Sequence, residues 1–111
     1  MASAMKSSPR NQLARALRTA RHALGVSQEG FGDVSGRTYV SQLERGERHA
    51  TLSKVDDLAS VLGLHPVSLV ALAYLPARPS EASVDALLAS VRTELLALMG
   101  GSAHGRSPSG V

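Results

Sequence analysis

Cysteine and tryptophan are both absent from this 111-residue chain. Without cysteine there is no disulfide, no thiol nucleophile and no thiolate metal site, which fits a reducing cytoplasm. Aromatic residues are nearly absent too. Phe31, Tyr39 and Tyr74 are the whole set. A core drawn from the 43% hydrophobic content therefore rests on Leu, Val and Ala, a mixture that suits helices better than sheets. Long apolar runs are also missing. The longest, Val67 to Leu75, is far too short to span a membrane, and the opening MASAMKSSPR has no apolar centre of the kind an export signal needs. A cytoplasmic location with no membrane partner is expected.

Acidic residues are sparse in the first half. Glu29, Asp33, Glu44 and Glu47 stand against Lys6, Arg10, Arg15, Arg18, Arg21, Arg37, Arg45, Arg48 and Lys54. The second half reverses the balance, with Asp56, Asp57, Glu81, Asp85 and Glu94 against Arg78, Arg92 and Arg106. A formal net charge of +3 thus hides a basic half beside an acidic one. Such a division suits a polyanion-binding face, and it also suits an ordinary solvated surface; charge alone does not choose. Catalytic chemistry finds little support. His22, His49, His65 and His104 share no ligand spacing, so no metal is expected. Asp56 and Asp57 are neighbours that point to different sides of a helix and cannot face each other across a site. No nucleophile motif is present. Neither enzyme activity nor a cofactor is expected.

What is present is helical periodicity. Ser8 and Pro9 open a helix whose apolar stripe is Leu13, Ala16, Leu17, Ala20 and Leu24, closed by Gly25. Ser27 caps a short second helix, Gln28 to about Asp33, weakened by Gly30 and Gly32 and held through Phe31. After a turn at Val34 to Gly36, a third helix spans Arg37 to Arg45 and stops at Gly46. Thr51 caps a fourth, with Leu52, Val55, Leu58, Ala59 and Leu62 on its buried side, ended by Gly63. His65-Pro66 opens a fifth, to Tyr74. Pro76 and Pro79 bracket a linker before a sixth helix ending at Met99. The expected organisation is all-α: a disordered 1–8, a helical domain over 9–75, a linker at 76–80, a C-terminal helix over 81–99 and a disordered tail at 100–111.

The third helix has two faces. Val40 and Leu43 point inward with Tyr39 flanking, leaving Arg37, Thr38, Ser41, Gln42 and Arg45 near the other side. Gln matches two atoms of an adenine edge, Arg does the same with guanine, and Ser and Thr reach bases or phosphates. Taken alone, such a face is also that of a plain amphipathic helix. The order of residues around it carries more: LRTAR in the first helix, LGVSQE into the second, YVSQLERGER through the third and ATLSKVDDLASVLGL in the fourth. In these segments the chain resembles the Cro/repressor-like, XRE-type helix-turn-helix family, from Leu13 to Leu75. The resemblance implies a five-helix domain that binds double-stranded DNA, its third helix in the major groove and its second crossing the backbone. By position it implies base reading by Arg37, Thr38 and Gln42, with Ser41 beside them in either role. It implies a phosphate-binding, orienting Gln28, and phosphate contacts by Tyr39, Arg45, Arg48 and His49. It pairs Arg21 with Glu44 as a structural tie.

One departure stands out. Gln28 and Glu44 are 16 positions apart, two fewer than in the family pattern. The shortage falls at the end of the second helix and the turn, so a shortened second helix is expected, with Ser35 or Gly36 capping the third. The sixth helix carries Val84, Leu87, Leu88, Val91, Leu95 and Leu98 at three- and four-residue steps. It either folds back on its own domain or pairs with its counterpart in a second copy. Pairing is the expectation, with Leu69, Leu72 and Leu75 of the fifth helix joining, because a small helical unit buries limited area alone. The resulting expectation is a homodimeric repressor reading a palindromic operator. The alternative is a protein-interaction module on the same fold, an antitoxin, antirepressor or adaptor whose last helix grips another protein.

Overall fold

The computed structural model describes residues 11–32 and 36–100. In order these form α1 (Leu13–Leu24), a 3-10 turn (Gln28–Phe31), α2 (Arg37–Glu44), α3 (Leu52–Leu62), α4 (Pro66–Tyr74) and α5 (Glu81–Leu98). Among the described residues there is no strand, and the fold is the all-α helix-turn-helix type. The chain divides into two compact units, one running to Tyr74 and the other starting at Leu75. The expected Ser8 and Pro9 start of the first helix, Asp33 to Ser35, and the segments 1–8 and 101–111 lie outside the described residues.

In the first unit each element contributes a fully buried anchor. Leu17 comes from α1, Phe31 from the 3-10 turn, Val40 and Leu43 from α2, Leu58 from α3 and Leu69 from α4. With one aromatic side chain at its centre, the core depends on aliphatic packing around Phe31. Helix ends are closed locally. Thr51 Oγ1 accepts from Lys54 N–H at 3.1 Å to start α3, and the Gln12 N–H bonds Ala73 O at 2.6 Å, tying the start of α1 to the end of α4.

The expected second helix is replaced by a single 3-10 turn. Ser27 caps it through Oγ, which accepts from Gly30 N–H at 3.2 Å. Two glycines in so short a segment raise the entropy cost of helix formation, and a Cβ on Gly30 would lie 3.1 Å from Val26 Cγ1. The turn is therefore close-packed rather than frayed. Gly36 occupies the N-cap position of α2 at φ 81°, a conformation disfavoured for residues with a Cβ.

Two expected core positions are exposed, and three positions expected at a pairing interface are not. Leu52 is 78% exposed, because a side chain at the first helical position leans back toward the N-terminus, past the end of the packed stripe. Leu24 is exposed at the last position of α1. Leu69 and Leu75 are buried already and Leu72 packs against the core, so they do not form a free apolar surface. The exposed large apolar side chains of α4 are Val67 and Tyr74.

The second unit contains α5. Ser80 Oγ accepts from Ser83 N–H at 3.0 Å, while Ser83 Oγ accepts from Ser80 N–H at 2.8 Å. This reciprocal capping box fixes where the helix begins. No residue of α5 is buried. Among the described residues no single helix is long and apolar enough to cross a membrane.

Replacing Phe31 with Ala is expected to lower stability by about 3–5 kcal/mol, whereas Leu52→Ala changes it by less than about 0.5 kcal/mol. Urea unfolding followed by circular dichroism measures both; equal effects would contradict the packing described.

Candidate nucleic-acid interface

The interface is organised around Glu44, the last residue of α2 and the buried charged side chain among those described. Arg21 meets its carboxylate with two parallel bonds, Nε to Oε2 at 2.6 Å and Nη2 to Oε1 at 2.9 Å. Gln28 Nε2 adds a third bond to Oε1 at 3.1 Å. Arg18 Nη1 donates to the Glu44 backbone carbonyl at 2.9 Å, and Arg21 Nη1 to Val26 O at 3.3 Å. One carboxylate thus joins α1, the 3-10 turn and α2. Burial alone pushes its pKa up, but the hydrogen bonds from Arg21 and Gln28 and the charges of Arg21 and Arg18 hold it below the usual carboxylate value. Arg21 is raised in turn, chiefly by its bond to Glu44.

The opposite side of α2 faces outward. Arg37, Thr38 and Arg45 are exposed, while Tyr39, Ser41 and Gln42 are half-buried. Gln28, Arg37, Thr38, Ser41 and Arg45 line one recess, so five positions singled out from the sequence converge. Gln28 belongs to it while its amide nitrogen holds Glu44, so it helps orient α2 directly. Two of the cations have acidic neighbours. Arg37 lies 3.6 Å from Glu29 with both side chains exposed. Arg45 grips Glu47 through Nε at 2.8 Å and Nη2 at 3.1 Å, and its Nη1 donates to the Ser41 hydroxyl. The Arg45 bond holds Glu47 low and raises Arg45. Solvent screens surface pairs of this kind and they add little to stability, so they exchange readily for another anion.

A second cluster sits at the C-terminal end of α2. Arg48 Nε donates to Gln42 Oε1 at 2.7 Å, and its guanidinium carbon lies 5.5 Å from the Tyr39 ring centroid. Lys54, on α3, brings Nζ to 5.1 Å from the same ring. Burial raises the Tyr39 phenol, and Arg48 partly opposes this. His49 is exposed and lines a separate recess with Arg48, Asn11 and Gln12, apart from the Gln28–Arg45 group. Lys54 and Arg18 were not singled out from the sequence. For Lys54 no local signal exists, since only the docking of α3 brings it to Tyr39. Arg18 could have been found from its position three residues before Arg21, on the same side of α1.

The depressed Glu44 pKa sets the sign of a pH effect. The folded state binds this proton less readily than the unfolded chain. The associated stability is complete above the ordinary glutamate value of about 4.3 and is lost as pH falls through the lower folded value. Glu44→Gln is expected to cost about 3 kcal/mol at neutral pH, because it leaves Arg21 without its charge partner. Its deficit relative to wild type should stay constant from about pH 7 to about pH 5.5 and narrow in stronger acid. Denaturant midpoints across that range report it; a deficit that widens in acid would reverse the assignment.

A family model and a solved structure match parts of this chain. Residues 17–69 match the family model HTH_3, described as helix-turn-helix. A solved structure, the restriction-modification controller protein C.AhdI from Aeromonas hydrophila, is 38% identical over an alignment covering 52% of this chain and 91% of that one, with a TM-score of 0.48. No curated protein matches the chain. The buried tie beneath α2, its polar outer face and the family match over α1 to α4 lead to one conclusion: the chain belongs to the XRE-type helix-turn-helix family and is a DNA-binding transcriptional regulator.

Proposed function

We propose that the protein is a homodimeric repressor that reads a palindromic operator with α2 in the major groove. The observation that carries this reading is the division of α2 itself. Val40, Leu43 and Glu44 are buried, while Arg37, Thr38, Ser41 and Gln42 occupy the outer side. Short Ser and Thr side chains let a helix sit deep in the groove, and Arg and Gln supply bidentate partners for guanine and adenine. In this reading Arg37, Thr38, Ser41 and Gln42 contact base edges. Gln28, Tyr39, Arg45, Arg48 and His49 contact the backbone, joined by Lys54. Residues 9–75 form the DNA-binding domain, 76–80 the linker and 81–99 the dimerisation helix.

Dimerisation is assigned to α5. Val84, Leu88, Val91, Leu95 and Leu98 repeat at alternating steps of four and three, the spacing of a two-helix seam, and Leu87 broadens it. Leu88, Val91, Leu95 and Leu98 are exposed in the single chain. A second copy with the same stripe would cover them and give a C2 pair with half-sites about one helical turn apart. The exposed stripe also supports a second reading, in which α5 grips a different protein and the chain acts as an antitoxin, antirepressor or adaptor.

Two outcomes test these assignments. Gln42→Ala should relax base preference at one operator position, removing about 1–3 kcal/mol of discrimination; equal weakening on every sequence would exclude Gln42 as a reader. The full chain with Leu88→Glu and Leu95→Glu together should sediment as a monomer and lose operator affinity. A doubly substituted chain that stays dimeric would rule out α5 as the seam, and a wild-type chain that is monomeric with no DNA preference would favour the second reading.

A further inference from the structure

Gln42 and Arg48 are separated by a helix end, yet their side chains meet. α2 stops at Glu44, Gly46 takes a left-handed conformation at φ 76°, and the Glu47 N–H returns to Gln42 O at 2.9 Å. This reversal carries Arg48 back over the outer side of the helix. Its guanidinium lies 5.5 Å from the Tyr39 ring centroid, within cation–π range, and its Nε donates to Gln42 Oε1 at 2.7 Å. Tyr39 is half-buried and also receives Lys54 at 5.1 Å, so the surface under Arg48 is itself held in place.

We propose that Arg48 is a specificity-determining positioning residue, which fixes the orientation in which the Gln42 amide meets a base edge. The inference rests on the reading of Gln42 as a base-contacting residue. Its chemistry is simple. A free glutamine amide can present its oxygen or its nitrogen at a given place, because the two ends have nearly the same shape. Guanidinium nitrogens only donate. An Arg48 Nε at Gln42 therefore accepts the oxygen end as neighbour and rejects the amino end. The oxygen has two lone pairs, so one stays available after the Arg48 bond, and Nε2 keeps both hydrogens. The amide then offers one acceptor and one donor side by side in a set order, the pattern that N6 and N7 of adenine require. Of the five N–H donors of Arg48 this bond uses one, so the residue contacts phosphate and orders Gln42 together.

Lysine separates these two roles. It keeps the charge, but its ammonium is a point donor on a flexible stem without the planar fork. Duplexes selected from a random-sequence library by the full wild-type chain serve as the probe, with every single-base variant of the selected site measured for wild type, Arg48→Lys, Gln42→Ala and the double variant. Arg48→Lys should preserve the salt dependence of binding while reducing base discrimination at the Gln42 position by about threefold to tenfold, the scale of ordering one flexible side chain. In the Gln42→Ala background it should cause no further loss at that position. In the DNA-free protein, Arg48→Lys should shift the Gln42 side-chain amide resonances and leave the backbone spectrum of α1 and α3 in place.

If Gln42→Ala flattens one position and Arg48→Lys leaves that position sharp, the positioning role is overturned and base reading by Gln42 stands. Uniform weakening by Arg48→Lys across all bases, or unshifted Gln42 amide resonances, overturns it equally. If Gln42→Ala alters no position, or the wild type selects no sequence, base reading fails and the positioning role falls with it.

Discussion

The bidentate contact between Arg21 and Glu44 is the constraint from which the placement of the outer side of α2 follows. Glu44 closes α2, so whatever holds its carboxylate sets the roll and tilt of the helix against α1. Gln28 fastens the 3-10 turn to the same oxygen that Arg21 Nη2 uses. The three elements are fixed at one point rather than pairwise. Ion pairs this sheltered contribute orientation more than net stability, since desolvation offsets much of the attraction. A geometric role fits a position directly beneath the outward residues. Hydrophobic packing supplies the stability, through Phe31, Val40, Leu43 and their aliphatic neighbours.

Much of this was legible in the sequence where local rules decide. Thr51, Gly25 and Gly63 marked helix ends because capping depends on a few adjacent residues. The two-residue shortening between Gln28 and Glu44 pointed to a contracted second element. Its true form, one 3-10 turn packed against Val26, depended on a close approach that no spacing encodes. Leu52 looked like a core residue by periodicity, but the end of a packed stripe is decided by what lies beyond the helix. The spacing of Leu69 pointed to a face shared with another copy, and the fold instead buries it in the chain's own core.

The site shows the same limit more sharply. Residue types on one side of α2 could be assigned from a helical wheel, but their partners could not. The bond from Arg48 to Gln42 requires the chain to reverse at Gly46. The approach of Lys54 to Tyr39 requires α3 to dock beside α2. Both join residues separated by a loop, where side-chain reach depends on backbone path and not on sequence interval.

The acidic partners on the outer side of α2 bear on how the proposed operator would be found among competing sites. Arg45 is already matched by Glu47, and Arg37 has Glu29 nearby. On the proposed reading, a passing stretch of duplex would meet cations whose field is partly cancelled close to the surface. Capture by an arbitrary backbone would be weakened a little, because each phosphate would displace a tethered carboxylate rather than a freely diffusing ion. A duplex that also satisfies the bases would recover that cost through contacts of its own. On that reading the internal acids would hold down binding to arbitrary duplex, while base contacts sustain binding at the target, and a small regulator would need no larger surface to tell the two apart.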